Sequence, residues 1–340
     1  MESSIVLEHI LAWSASHMAL QDQSYAPMAS KEKSAALKLL SDSLSSGTCT
    51  PVPQLACCLI LAASDIITGD TSNWVNHLLG ASCVIRSVCK TYHAGSLDFT
   101  PIAKSFQGRW LLRCFVYHDV MRAIATDTAP WITGRQYWTH VLSELPDSHL
   151  GLAGQIIQTL SDICKLNVDL RRQKESEPHH ISHAIQLEQS LSNWKPPISD
   201  DEDLISLAET HRSAALLYLY RILRRNRCDI ASSRSGRASD SVADIVSRIE
   251  RLPRGSIVEC SLLLPMFLAG SESQDAQHRN ALEGRMLYIV RTRRFYHVHA
   301  CLEVLKRLWL LRDQGKCGEG GTLLDWSDVV TPSENVLALV

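Results

Sequence analysis

No stretch of this 340-residue chain is unbroken in apolar residues for longer than Leu55 to Ala63. A membrane-spanning helix needs about 18 such residues, so no span is expected. The start, MESSIVLEHILAW, lacks the positive segment of a secretory signal, and Glu8 and His9 interrupt its apolar part. There is almost no charge excess, with 34 Lys and Arg against 36 Asp and Glu. That balance excludes a protein whose whole surface serves as a basic patch, while leaving room for a local one. The eleven cysteines never form a C-x₂-C pair, the spacing that closes thiolate metal sites. With no export signal they read as reduced thiols in a nuclear or cytoplasmic protein. No metal and no cofactor are expected.

Sustained alternation of apolar and polar residues is scarce, and hairpin signals are missing. What the chain has instead is helical periodicity. Residues 4–20 place Leu7, Ile10, Leu11, Ser14 and Met18 on one face. Residues 31–46 follow with Ala36, Leu37, Leu40 and Leu44. Residues 53–68 are apolar nearly all round, as in a central core helix, and Gly69 stands where a left-handed cap belongs. Further helices are predicted over 73–89, 107–125 and 152–172. A capping box at Ser199 to Glu202 opens another, and a buried helix at 257–269 is expected to bend at Pro265. Ser271 and Gln274 suggest a second capping box, before a helix to about Phe295, and a last helix covers 298–312. The expectation is an all-α fold, one large helical-bundle domain of about eleven helices over residues 1–330, with 331–340 as a loose tail. Residues 92–106 and 126–136 read as loops, 173–180 as a polar hinge and about 226–240 as a mobile loop.

Asp200 to Asp203 is the one dense acidic run, but Leu204 occupies the position a magnesium-binding carboxylate would need, and a helix start explains the acids. His179 and His183 stand four apart with no cysteine nearby. There is no G-x-S-x-G and no H-E-x-x-H. His118 and Asp119 could form a base with its orienter, yet adjacent helix positions do not face each other. No catalytic residues are expected, and the chain is not expected to be an enzyme. Candidates for a ligand-pocket wall are Trp110, Tyr117, His118 and Asp119 on the aromatic helix. Arg221, Arg224, Arg225 and Arg227 form the one basic patch, extended by Arg234 and Arg237, suited to phosphate contact or a nuclear address.

The segment LACCLILAASDIITGDTSNWVNHLLGASCVIRS combines an apolar helix, Gly69, Trp74, His77-Leu78 and Gly80-Ala81 in order. FVYHDVMRAIA, LLLPMFLAGSES, Arg279, LEVLKRLW ending at Trp309, a Gly-rich turn and Asp325-Trp326 follow. ILAWSASHMAL and SAALKLL precede them. This succession resembles the regulatory domain of fungal zinc-cluster transcription factors over roughly residues 5–330. The resemblance implies a helical regulatory domain that dimerises, meets other factors and in some members senses small molecules. Trp74, His77, Gly80, Arg279 and Trp309 are then structural motif positions. The family's DNA-reading module has six clustered cysteines, a pattern this sequence does not show. The expected function is therefore a transcription-regulator-type protein without its own zinc-cluster module, acting through protein partners on a biosynthetic gene cluster, in the nucleus or cytoplasm. The expected partners are other transcription factors, or the protein itself as a dimer, with a small-molecule effector and no strong direct nucleic-acid or membrane binding. The alternative is a helical scaffold repurposed as an enzyme or small-metabolite-binding protein in secondary metabolism.

Overall fold

The structure is a computed structural model that describes residues 2–46, 50–69, 73–89, 97–132, 149–172, 178–318, 321–331 and 337–340. Among them it is all-α, with thirteen α-helices and short 3₁₀ turns. The residues group into two compact units.

The first unit holds α1 (Glu2–Gln21), α2 (Ala26–Ser46), α3 (Pro51–Thr68), α4 (Trp74–Val88), α5 (Thr100–Ala103) and the opening of α6 (Phe106–Ala125). α1 packs on α2 and α3, and α3 packs on α4. Helix α3 is long and apolar enough to match a membrane span by length and composition. Here it is a core helix, burying Leu55, Cys57, Cys58, Leu61 and Ala62. Its end follows from chemistry: Gly69 takes φ +78° and its N–H closes on the Asp65 and Ile66 carbonyls, a conformation that favours glycine. Helix α1 turns a different face inward than its largest residues suggest. Leu7, Ile10, Leu11 and Met18 are exposed, while Ile5, His9, Ala12, Ala15 and Ser16 are buried. Small side chains at 12, 15 and 16 let neighbouring helices approach closely, which hydrophobic periodicity alone does not register.

The second unit holds the end of α6, then α7 (Ile156–Arg172), α8 (Pro178–Asn193), α9 (Glu202–Arg225), α10 (Ser235–Arg251), α11 (Leu263–Glu272) and most of α12 (Ala276–Arg293) and α13 (Tyr296–Asp313). Helix α9 is its centre, packing on α7, α8, α10 and α11. It buries Leu207, Ala208 and the continuous run from Ser213 to Leu223. Asp201, rather than Ser199, caps it, its carboxylate accepting the Leu204 N–H at 3.0 Å.

Several boundaries differ from the sequence reading. Residues 235–240 lie inside α10, whose Val242, Ile245, Val246 and Ile249 form a clean buried stripe. The Ser- and Gly-rich opening masks that periodicity. Of the expected hinge, 173–177 lie outside the described residues and 178–180 begin α8. Of the loop at 126–136, only 126–132 are described, and they are not α-helical. Of the loop at 92–106, residues 97–106 are described and include α5. Ser271 sits within α11, and Asp275 accepts the Gln277 N–H at the start of α12, so no capping box forms at 271–274. A 3₁₀ turn, Ile257–Ser261, precedes α11, with Pro265 in its first turn, where a missing N–H costs nothing. Beyond residue 330, Leu337, Ala338 and Leu339 are buried, and Cys301 Sγ donates to the Ala338 carbonyl.

Two glycines test the packing. A Cβ on Gly108 would meet the Ile102 carbonyl oxygen at 1.9 Å, whereas one on Gly284, mid-helix and exposed, would meet nothing within 4 Å. Gly108→Ala is expected to lower the unfolding free energy by about 1–3 kcal/mol, since backbone must move to admit it. Gly284→Ala is expected to raise it by about 0.5–1 kcal/mol. Chemical denaturation of both variants measures the two signs.

Candidate functional site

The four arginines of the basic stretch sit at and beyond the C-terminal end of α9. Arg221, Arg224 and Arg225 share one helix face by their i, i+3, i+4 spacing. Arg221 is fully buried. Its Nε and Nη2 donate to Asp325 at 2.9 and 2.8 Å, and its Nη1 donates to Asp127 at 2.8 Å. The guanidinium also lies over the Trp326 ring, 4.5 Å from its centroid. Arg224 forms a two-pronged pair with Glu272, and Arg225 pairs with Asp328 at 3.1 Å. Further along, Arg234 and Arg237 both reach Glu188, which also accepts the Tyr220 hydroxyl.

The carboxylates are held as firmly as the arginines. Asp325 caps a 3₁₀ turn, Trp326–Asp328, and Asp328 returns the bond to the Asp325 N–H, a reciprocal capping box. Asp127 follows α6 at φ +50°, a left-handed conformation that Asp tolerates better than most residues. Asn167 donates to the Asp127 carboxylate, and Arg171 to its carbonyl. Burial alone would push the Asp325 pKa up. The Arg221 guanidinium, its hydrogen bonds and Arg225 override this and hold it well below the usual carboxylate range. Burial likewise disfavours the Arg221 cation, and Asp325 with Asp127 more than reverses that.

This arrangement commits Arg221, Arg224 and Arg225 to carboxylates within the fold. Arg227 is exposed with φ +53°. The stretch is not a free basic face, because a phosphate would have to displace partners already in place.

The aromatic helix behaves similarly. Trp110 is exposed, whereas Tyr117, His118 and Asp119 are buried, so the four do not share one surface. His118 Nδ1 lies 2.7 Å from the Cys114 carbonyl, edge-on to Tyr117. Asp119 accepts the N–H groups of Trp131 and Ile132 at 2.7 and 3.1 Å. The two side chains thus serve different backbone groups.

The motif positions are packing and hydrogen-bonding anchors. Trp74 is fully buried in the first unit. His77 Nε2 stands 3.2 Å from the buried Asp65 carboxylate, which Lys33 also reaches. A Cβ on Gly80 would touch Cys58 Sγ only at ordinary contact distance, 3.5 Å. Trp309 donates its indole N–H to the Gly270 carbonyl at 2.8 Å. Arg279 lies over Trp309 and pairs with Asp313 at 2.8 Å. Among the described residues no three His, Cys, Asp or Glu groups gather as a metal site would require.

Two of the clefts among the described residues of the second unit adjoin each other. One, of about 400 Å³, is lined by Gln274, Arg279, Arg312, Asp313, Lys316 and Cys317, with the segment 321–324. The other, of about 280 Å³, shares Gln274 and Leu323 and adds Tyr220, Arg224 and Arg234.

Helices fastened by buried ion pairs, with His118 and Asp119 bonded to backbone groups, define a helical scaffold. Residues 1–339 match the family model described as the fungal specific transcription factor domain, and the chain belongs to that family. Curated relatives include the acriflavine sensitivity control protein acr-2 of Neurospora crassa, 21% identical over 91% of this chain and 54% of that protein. Another is the transcriptional activator protein UGA3 of Saccharomyces cerevisiae, 22% identical over 91% of this chain and 66% of that protein. The chain thus spans between about half and two thirds of the length of these relatives. No solved structure matches.

The Asp325 shift has a consequence for stability. Its folded pKa is depressed, so its contribution is complete above the unfolded value, about 3.9, and is lost as pH falls toward the folded value. Asp325→Asn should lower stability at pH 7 by about 3 kcal/mol, because Arg221 loses a buried counter-charge. Its stability should also fall less steeply than the wild type between pH 5 and 2, as read by urea denaturation across that range.

Proposed function

We propose that this chain acts in the nucleus as a regulator of transcription, working through protein partners on genes of secondary metabolism. The observation that carries the reading is membership of the fungal specific transcription factor domain family across residues 1–339. A relative described as a transcriptional activator supports it. The chain does no chemistry in this reading; His118 Nδ1 lies at the Cys114 carbonyl and Asp119 accepts the Trp131 N–H. The enzyme or metabolite-carrier alternative is not favoured by these relatives, a transcriptional activator and an acriflavine sensitivity control protein. The partners are other transcription factors or a second copy of the chain, and a small molecule acts as effector.

The paired arginines of α9 bear on how DNA is reached. With their charge spent internally, the chain contacts DNA weakly and without base readout. Deleting the gene should change the transcripts of a defined gene set. The purified chain should show no preference between promoter and scrambled duplexes, and what binding it has should fade steeply as salt rises. Unchanged transcripts, with loss of one metabolic step that purified protein restores in an extract, would overturn the regulator reading.

A further inference from the structure

Among the described residues, the 400 Å³ cleft beside the end of α13 is lined by more positive than negative side chains. Arg279, Arg312 and Lys316 line it against one carboxylate, Asp313. Asp313 is already engaged, accepting both of its bonds from Arg279. Arg279 is in turn fixed by the Ser273 carbonyl. Arg312 is the unusual member. Its Nε and Nη2 both donate to a single carbonyl, that of Leu324, and its Nη1 is buried without a hydrogen-bond partner among the described residues.

No carboxylate among the described residues forms an ion pair with Arg312. Arg221, Arg224, Arg225 and Arg279 each have one. Burial lowers the Arg312 pKa. Of the charges around it, Glu272 and Asp325 favour the cation, while Arg224 and Arg279 oppose it. A guanidinium taken largely out of water without a counter-ion is costly unless something supplies the missing negative charge. Lys316 is exposed at the same rim, and Gln274 and Thr322 add neutral hydrogen-bonding groups. Planar guanidinium forks recognise carboxylate and phosphate oxygens, and an ammonium at the mouth adds attraction from solution.

We propose that this cleft binds a small anionic metabolite through its oxyanion, a carboxylate or a phosphate, seated on Arg312 and Lys316. The site deepens the regulator reading, because it gives the effector a chemical class and a place. The cleft is large enough for a compound of a few carbon atoms bearing one or two such groups.

Cys317 gives a local readout. It lines the cleft and is exposed, as are Cys83 and Cys260 elsewhere. Iodoacetamide labelling of the purified chain, resolved cysteine by cysteine by mass spectrometry, is compared in phosphate, in citrate and in sodium chloride of equal ionic strength. The site predicts that phosphate or citrate slows labelling at Cys317 and leaves Cys83 and Cys260 unchanged. Whichever arm protects better identifies the oxyanion. Lys316→Glu, at an exposed position that does not endanger folding, should weaken the protecting anion about tenfold or more, by replacing attraction with repulsion. Arg312→Gln should abolish protection, and Arg312→Lys should retain part of it. Equal protection at all three cysteines, none at Cys317, or an effect matched by chloride would overturn the proposal. So would unchanged anion affinity in Lys316→Glu. These outcomes are read on the purified chain and do not depend on transcript levels, so this site and the regulator reading can fail separately.

Discussion

The buried guanidinium of Arg221 constrains the second unit more than any other group. A charge there, with no exposure to solvent, is tolerable only if its donors are met by negative acceptors in the right plane. Asp325 meets one edge of the fork and Asp127 the other, from positions 104 and 94 residues away in sequence. Trp326 covers its face. Two distant segments are therefore tied to the end of α9 at one point: the turn after α6 and the 3₁₀ turn at 326–328. Apolar burial along α9 supplies the bulk stabilisation, since each buried large side chain is worth about 1.5–3 kcal/mol. The ion pairs add direction. They fix which turn docks where, and they leave stiff penalties for any alternative.

The same principle organises the smaller polar groups. Glu188 gathers Tyr220, Arg234 and Arg237 onto α8, so the start of α10 is anchored to α8 and α9. Glu259 stands 3.1 Å from the Arg285 Nε and also accepts the Gly255 N–H, fixing the turn before α11. In the first unit, Asp65 draws Lys33 and His77 to α3. Each buried carboxylate collects partners from more than one element, which is how polar groups in a helical core become specific rather than merely tolerated. Against this background Arg312 is a cation with Nη1 buried and without a hydrogen-bond partner among the described residues.

Much of this was legible in the sequence. Helices α3, α4, α6, α9 and α13 are visible from apolar spacing and from Gly69, because long periodic runs leave little choice. Helices α8 and α10 are hidden by polar openings, PHH and SGRASD, where a short-range reading sees a hinge or a loop. The inward face of α1 is hidden for a different reason: alanine and serine allow close helix contact, and the larger Leu7, Ile10, Leu11 and Met18 stay outside. The basic stretch shows the limit of reading charge along a chain. Arg221 lies within LLYLYRIL, so its neighbours demand burial, but its partners lie far away in sequence and only the fold brings them together. Asp325-Trp326 was visible as a family motif, and its role as the counter-charge was not. The cleft at Arg312 was invisible, since its lining comes from three separate segments.

The central structural claim is that Arg221 and Asp325 act as one unit inside the fold and are not a surface for nucleic acid. A double-mutant cycle with Arg221→Met, Asp325→Leu and the combined variant, followed by urea denaturation at pH 7, tests it most directly. The account predicts strong non-additivity: each single change costs about 3–5 kcal/mol by stranding a buried charge, and the double variant costs far less than their sum. Additive losses, or an Arg221→Met variant as stable as the wild type but deficient only in DNA binding, would contradict it.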